Sequence, residues 1–278
     1  MATTTILNEI TKEVFERYVP AAKMPERNSS VFNRLESSLK AAYHDLVYNI
    51  ISPDFEDKIT EDELLKHRCM RVVCLDAFAR TCRSLDVVLT ATGFGIVSTE
   101  SLAPASKARV DALIEEVLVE SMKIVDRIIF QHLVRVEGWG ATEQARHRIV
   151  TLFFKTTQLE ECGLALTTQN WREAQVLAVT ADMLLRKEIS SEYMDELLQE
   201  ARTASMSIDN GIFAAACQEF IYTYIKEGIP NKFQLHYLVE ELENNIEKYP
   251  TYQSSKLYAK RHAERYQTKR ADPTFFCM

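Results

Sequence analysis

The chain has 278 residues, a formal net charge of −7, and only seven glycines and seven prolines. Average usage is roughly 7 % Gly and 5 % Pro, so the chain is too poor in turn residues for the many corners of an all-β sandwich or barrel. With 46 % hydrophobic and 26 % charged residues it can fill a core and is not a disordered chain, and its acidic balance excludes a surface that grips nucleic acid throughout.

No stretch approaches eighteen apolar residues, so no segment is expected to span a membrane, and no membrane partner is assigned. The Thr-rich start, Met1 to Lys12, lacks the basic and apolar regions of a signal peptide. Six scattered cysteines, Cys69, Cys74, Cys82, Cys162, Cys217 and Cys277, read as small buried hydrophobes in a reducing cytoplasm rather than a disulfide framework. The fold class expected is mostly α: a multi-helix bundle with one short extended or hairpin segment near 86–98, a second helical half and an extended C-terminal arm.

In chain order, Ile6, Ile10, Val14 and Phe15 predict a first helix over Thr5–Tyr18, ended by Pro20. Asn28, Ser29 or Ser30 then caps a helix carrying Leu35, Leu39, Tyr43, Leu46 and Ile50 at spacings of three and four. Thr60-Glu61-Asp62-Glu63 reads as a capping box for a helix reaching about Ser84. Leu85 to Ser98 breaks the helical rhythm, with β-branched residues on both sides of Gly93 and Gly95, and reads as an extended or hairpin segment. Ala103-Pro104-Ala105-Ser106 opens the longest helix, to about Val136, roughly 50 Å at 1.5 Å per residue. Gly138-Trp139-Gly140 is taken as a hinge and boundary. Beyond it, helices are predicted at Thr142–Cys162, Gln169–Lys187, Ser191–Ala204, Ile212–Lys226 and Lys232–Lys248. The domains are therefore 1–137, 141–249, and a basic, Tyr-rich arm, 250–278.

Known catalytic signatures are missing from the sequence. There is no P-loop, no GxGxxG after a strand, no GxSxG, no HExxH and no CxxC. No catalytic residue, cofactor site or metal site is assigned. Glu63 and Glu143 each stand four residues before a histidine, His67 and His147; an exposed hydrogen-bonded pair is the expected reading, ahead of a metal site. Gly93-Phe94-Gly95 lacks a nearby lysine for a phosphate loop and reads as a turn around an aromatic anchor or a partner contact, with Thr92 beside it.

The arm carries six basic residues, Lys256, Lys260, Arg261, Arg265, Lys269 and Arg270, against two acidic ones, and ends near the apolar pair Phe275-Phe276. A helix is predicted over Gln253–Thr268. Its functional reading is an arm that folds onto an acidic partner or a neighbouring subunit; base stacking by its tyrosines is a lesser alternative.

The run LDVVLTATGFGIVS at 85–98, followed by LAPASKARVDAL at 102–113, resembles a family of uncharacterised proteins of Bacteroidetes phages and prophages. That family shows LDxVLTxTGFGxVS followed by APASKxRV, and Ala91 stands where the pattern more often has Pro. The resemblance implies a virion component of the head–tail connector or adaptor kind. Its partners would be itself, in a homo-oligomeric ring of about twelve copies, the portal and other neck or tail proteins. DNA would pass through the channel without sequence-specific binding. The location implied is the neck of the virion, with the host cytoplasm during assembly. An acidic channel wall would keep moving DNA from sticking. The alternative reading of the residues is a cytoplasmic helical scaffold or regulatory module whose basic arm takes an acidic partner.

Overall fold

The computed structural model describes residues 6–22, 29–84, 87–90, 93–96 and 106–263, and for 29–31, 87–90 and 93–96 the backbone only. A 3-10 turn at Ile6–Glu9 precedes α1 (Lys12–Tyr18), whose N-cap Thr11 accepts from the Val14 amide. The single helix predicted over Thr5–Tyr18 is thus divided, because the Thr11 side chain replaces a helical acceptor. Next, α2 (Ser29–Leu46) passes into a π-helical turn at Val47–Ile51. The short α3 (Lys58–Glu61) and the long α4 (Glu63–Thr81) are separated by Asp62.

Here the expected capping box is corrected. Asp62, not Thr60, caps α4: its carboxylate accepts from the Leu64 and Leu65 amides at 2.8 and 3.1 Å. The Thr60 hydroxyl turns back to donate to the Asp57 carbonyl. An ionised cap is the stronger acceptor for helix amides.

β1 (Val87–Thr90) and β2 (Gly93–Ile96) form an antiparallel hairpin, with Thr90 opposite Gly93 and Val88 opposite Gly95. The extended segment expected near 86–98 is therefore a hairpin. Gly93-Phe94-Gly95 is strand, and not the turn that its glycines suggested, since all three residues pair with Thr90, Leu89 and Val88 of β1. Then α5 (Lys107–Gln131) spans about 38 Å and is followed by 3-10 turns at Leu133–Arg135 and Trp139–Ala141.

The remaining helices are α6 (Glu143–Arg148), α7 (Gln158–Glu161), α8 (Thr168–Glu188), α9 (Ser191–Thr203), α10 (Ile208–Glu227), α11 (Lys232–Asn244), α12 (Pro250–Gln253) and α13 (Lys256–His262). The architecture is a multi-helix, all-helical bundle carrying one hairpin. In its first half α4 lies between α2 and α5, with α1 alongside. Buried residues occur all round α4, Leu65, Cys69, Met70, Val73, Cys74 and Phe78 among them, which is the mark of a central helix. In the second half α8 packs on α10, with α9 and α11 beside it.

One helix predicted from sequence is absent. Thr142–Cys162 forms only α6 and α7, and the chain between them is irregular. Side chains take up the backbone groups there. The Thr156 amide donates to Asp126 on α5 at 2.6 Å, and the Phe154 and Lys155 amides donate to the Gln158 amide oxygen. Gln158 in turn donates to the Leu152 carbonyl and the Tyr222 hydroxyl. Polar backbone is thus buried without a helical ladder. The run from Ile149 to Phe154, β-branched or aromatic except at Leu152, also has low helix propensity.

Gly138–Gly140 is a packed corner. Trp139 is fully buried, and its indole N–H donates to the Ile50 carbonyl at 3.2 Å. A Cβ on Gly140 would lie 2.7 Å from Thr203 Cγ2 and 2.8 Å from the Arg202 carbonyl oxygen, so the close approach of α9 requires glycine there. Gln144 donates to the Tyr48 carbonyl, and the Glu115 carboxylate on α5 accepts from both the amide and hydroxyl of Thr168. The buried apolar side chains on either side of the corner form one cluster.

Candidate functional site

The residues nominated from sequence fall into three groups. Thr92, Arg265, Lys269, Arg270, Phe275 and Phe276 lie outside the described residues. Gly93, Phe94 and Gly95 belong to β2. Lys256, Lys260 and Arg261 stand on α13. The continuous helix predicted over Gln253–Thr268 is broken between α12 and α13, where Ser255 caps α13 by accepting from the Tyr258 amide at 3.2 Å.

The start of the arm is docked on its own chain. Tyr252 and Ser255 are buried. The Tyr252 hydroxyl donates to Glu243 at 2.6 Å and accepts from Arg261 at 3.0 Å, and Arg261 reaches Glu188 at 3.4 Å. An acidic surface thus does receive a basic residue of the arm, but it belongs to α8 and α11 of the same chain. Lys256 and Lys260 remain exposed.

His67 is engaged by the Tyr18 hydroxyl, 2.7 Å from its Nδ1. Among the described residues no group of three or more His, Cys, Asp or Glu is placed to hold a metal ion. No helix among them is long and apolar enough to cross a membrane.

Two features escaped the sequence reading. The first is apolar surface. On α8, Val176 is 68 % exposed, Val179 43 % and Met183 66 %, at spacings of three and four that place them along one line of the helix. On α10, Ile208 and Ile212 are four residues apart and exposed; beside and on α11, Ile229, Phe233 and Tyr237 repeat that spacing, with Phe233 88 % exposed. The signal was available: α8 carries apolar residues on two faces, one of which the core (Trp171, Ala174, Ala178, Ala181, Leu185) already accounts for.

The second is a cleft of about 350 Å³ between α4, α5 and α8, where α6 ends. Asp76 of α4, Ser121 of α5, Arg148 at the end of α6, and Trp171 and Gln175 of α8 face it, with Thr156 from the irregular stretch. Burial pushes the Asp76 carboxyl above its usual value, opposed by a hydrogen bond from Ser121. Asp126 is likewise raised by burial, opposed by Thr156. Arg148 sits deep in the bundle, and burial lowers its pKa, opposed by the Asp126 charge. It nevertheless keeps part of its surface accessible because it lines the cleft. These residues are scattered over a hundred positions, so no local motif announces them.

A family model described as a family of unknown function, DUF6712, matches residues 31–149, less than half of the chain. That region runs from the start of α2 to the end of α6 and includes the hairpin and α5. No curated protein and no solved structure matches the chain. The chain is therefore similar, over its first half, to a family whose description assigns no activity.

Proposed function

We propose that this chain is a structural protein of a tailed bacteriophage particle, a head–tail connector or adaptor that acts by assembly and not by catalysis. The observation that carries the reading is the apolar surface of α8, α10 and α11. Scattered exposed apolar residues are ordinary, but aligned ones on successive helices mark surface that a partner covers. The resemblance of residues 85–113 to the phage family names the assembly: a ring of copies beneath the portal, in contact with other neck or tail proteins, with DNA passing through it. The acidic balance of the chain suits a channel wall that does not retain DNA.

Mass spectrometry of gradient-purified particles from the encoding phage or an induced prophage tests this. Several copies per particle, retained through a salt wash, are expected. Absence from particles despite clear expression in infected cells overturns the reading.

A further inference from the structure

We propose that the cleft between α4, α5 and α8 binds a small organic monocarboxylate, with Arg148 holding the carboxylate and α5 and Trp171 holding an apolar body. This rests on a different observation from the assembly reading and stands or falls separately. Arg148 is the last residue of α6, and the chain turns away after it because the Ile149 carbonyl is held by the Arg202 guanidinium at 2.6 Å. The Arg148 side chain is thereby left facing the cleft.

Among the described residues, no hydrogen bond and no carboxylate within 4.0 Å satisfies that guanidinium. Its one opposing charge, Asp126, makes no ion pair with it, and the Asp126 Oδ2 atom accepts instead from the Thr156 amide and hydroxyl, at 2.6 and 2.7 Å. Arg148 keeps part of its surface in the open cleft, so its unused donors face whatever enters there and are available to an anion. The planar guanidinium fork matches a carboxylate bidentately.

The rest of the cleft sets the ligand class. Leu118, Met122 and Val125 of α5 and Trp171 of α8 supply an apolar wall. Its volume of about 350 Å³ lies at the lower end of the range of ligand pockets, roughly 300–1,000 Å³. Asp76 of α4 and Arg172 of α8 line the same cleft; their opposite charges offset, which leaves Arg148 as the net positive group and favours a monoanion over a phosphate ester or dicarboxylate.

The test uses the full chain and two fluorinated probes followed by 19F NMR: 4-fluorophenylacetate and the neutral 2-(4-fluorophenyl)ethanol. The acid is expected to bind saturably with a millimolar or tighter Kd, and the alcohol at least about tenfold more weakly. Arg148→Lys, which keeps the charge and loses the fork, is expected to weaken the acid about tenfold. The proposal is overturned by no saturable binding of the acid up to about 10 mM, by equal binding of acid and alcohol, or by unchanged acid binding in Arg148→Lys. Should the variant not fold, the acid–alcohol comparison on the unaltered chain decides alone.

Discussion

At Asp62 one carboxylate oxygen accepts from the Leu64 and Leu65 amides, while the other lies 2.8 Å from His132 Nδ1. The far nitrogen of that histidine, Nε2, is 2.7 Å from an Arg68 guanidinium nitrogen. A guanidinium only donates, so Nε2 accepts and the Nδ1 proton points at Asp62. The network joins the N-terminus of α4 to the residue that ends α5. The Leu65 amide, ahead of the His132 contacts and the Leu64 amide, holds the Asp62 carboxyl below its usual value, against a smaller effect of burial. A carboxylate depressed in the folded state contributes stability above its unfolded pKa and loses it as pH falls through its folded pKa. Asp62→Ala is therefore expected to cost about 1 kcal/mol at neutral pH, and the difference from wild type should shrink as pH drops from about 5 to about 2. Denaturant titrations across that range check it; a difference that stays constant with pH would mean that the charge has no part in the cap. The sequence TEDE showed that a helix starts here. Choosing between Thr60 and Asp62 needed His132, seventy residues away, which no local pattern contains.

Among the elements, α4 was the most legible and the stretch after α6 the least, for opposite physical reasons. The small apolar residues of α4, with Cys69 and Cys74 among them, fit a helix packed on every side, and both cysteines are wholly enclosed. Burial pushes the Cys69 thiol far up and the Cys74 thiol up to about 12. In the second half it raises Cys162 to about 11 and also raises Cys217. Thiolates do the reacting, so Cys69, Cys74, Cys162 and Cys217 should alkylate with iodoacetamide at pH 8 about a hundredfold more slowly in the native protein than in denaturant. Peptide mapping after timed quenching reads each site. Equal rates at Cys69 or Cys74 in both conditions would show that α4 is not enclosed. Residues 149–157 hide from sequence because the amides of Phe154, Lys155 and Thr156 are satisfied by Gln158 and Asp126 rather than by a local ladder. A periodicity argument assumes local pairing and extends the helix.

For the molecule as a whole, the helical class followed from composition, because a chain so short of glycine and proline has few architectures open to it. The placement of polar groups did not follow. The cleft draws on Asp76, Arg148 and Gln175, and only the packing of α4, α5 and α8 brings them together. The apolar face of α8 lies between these cases: its spacing is visible in sequence, but telling it from the core face requires knowing that α10 covers the other side. Val176 and Met183 have most of their surface in solvent, so charging them removes little packing within the chain. The double variant Val176→Asp, Met183→Asp should keep the melting temperature within about 2 °C of wild type, as exposed substitutions usually fall within about 0.5 kcal/mol. A buried interface, by contrast, does not tolerate two unpaired carboxylates. Incorporation into particles, measured by quantitative mass spectrometry after complementation of a deletion phage, should then fall at least about tenfold. A stable double variant that enters particles at the wild-type level would show that the α8 face is not an assembly surface, and the exposed residues of α10 and α11 would be the next to test.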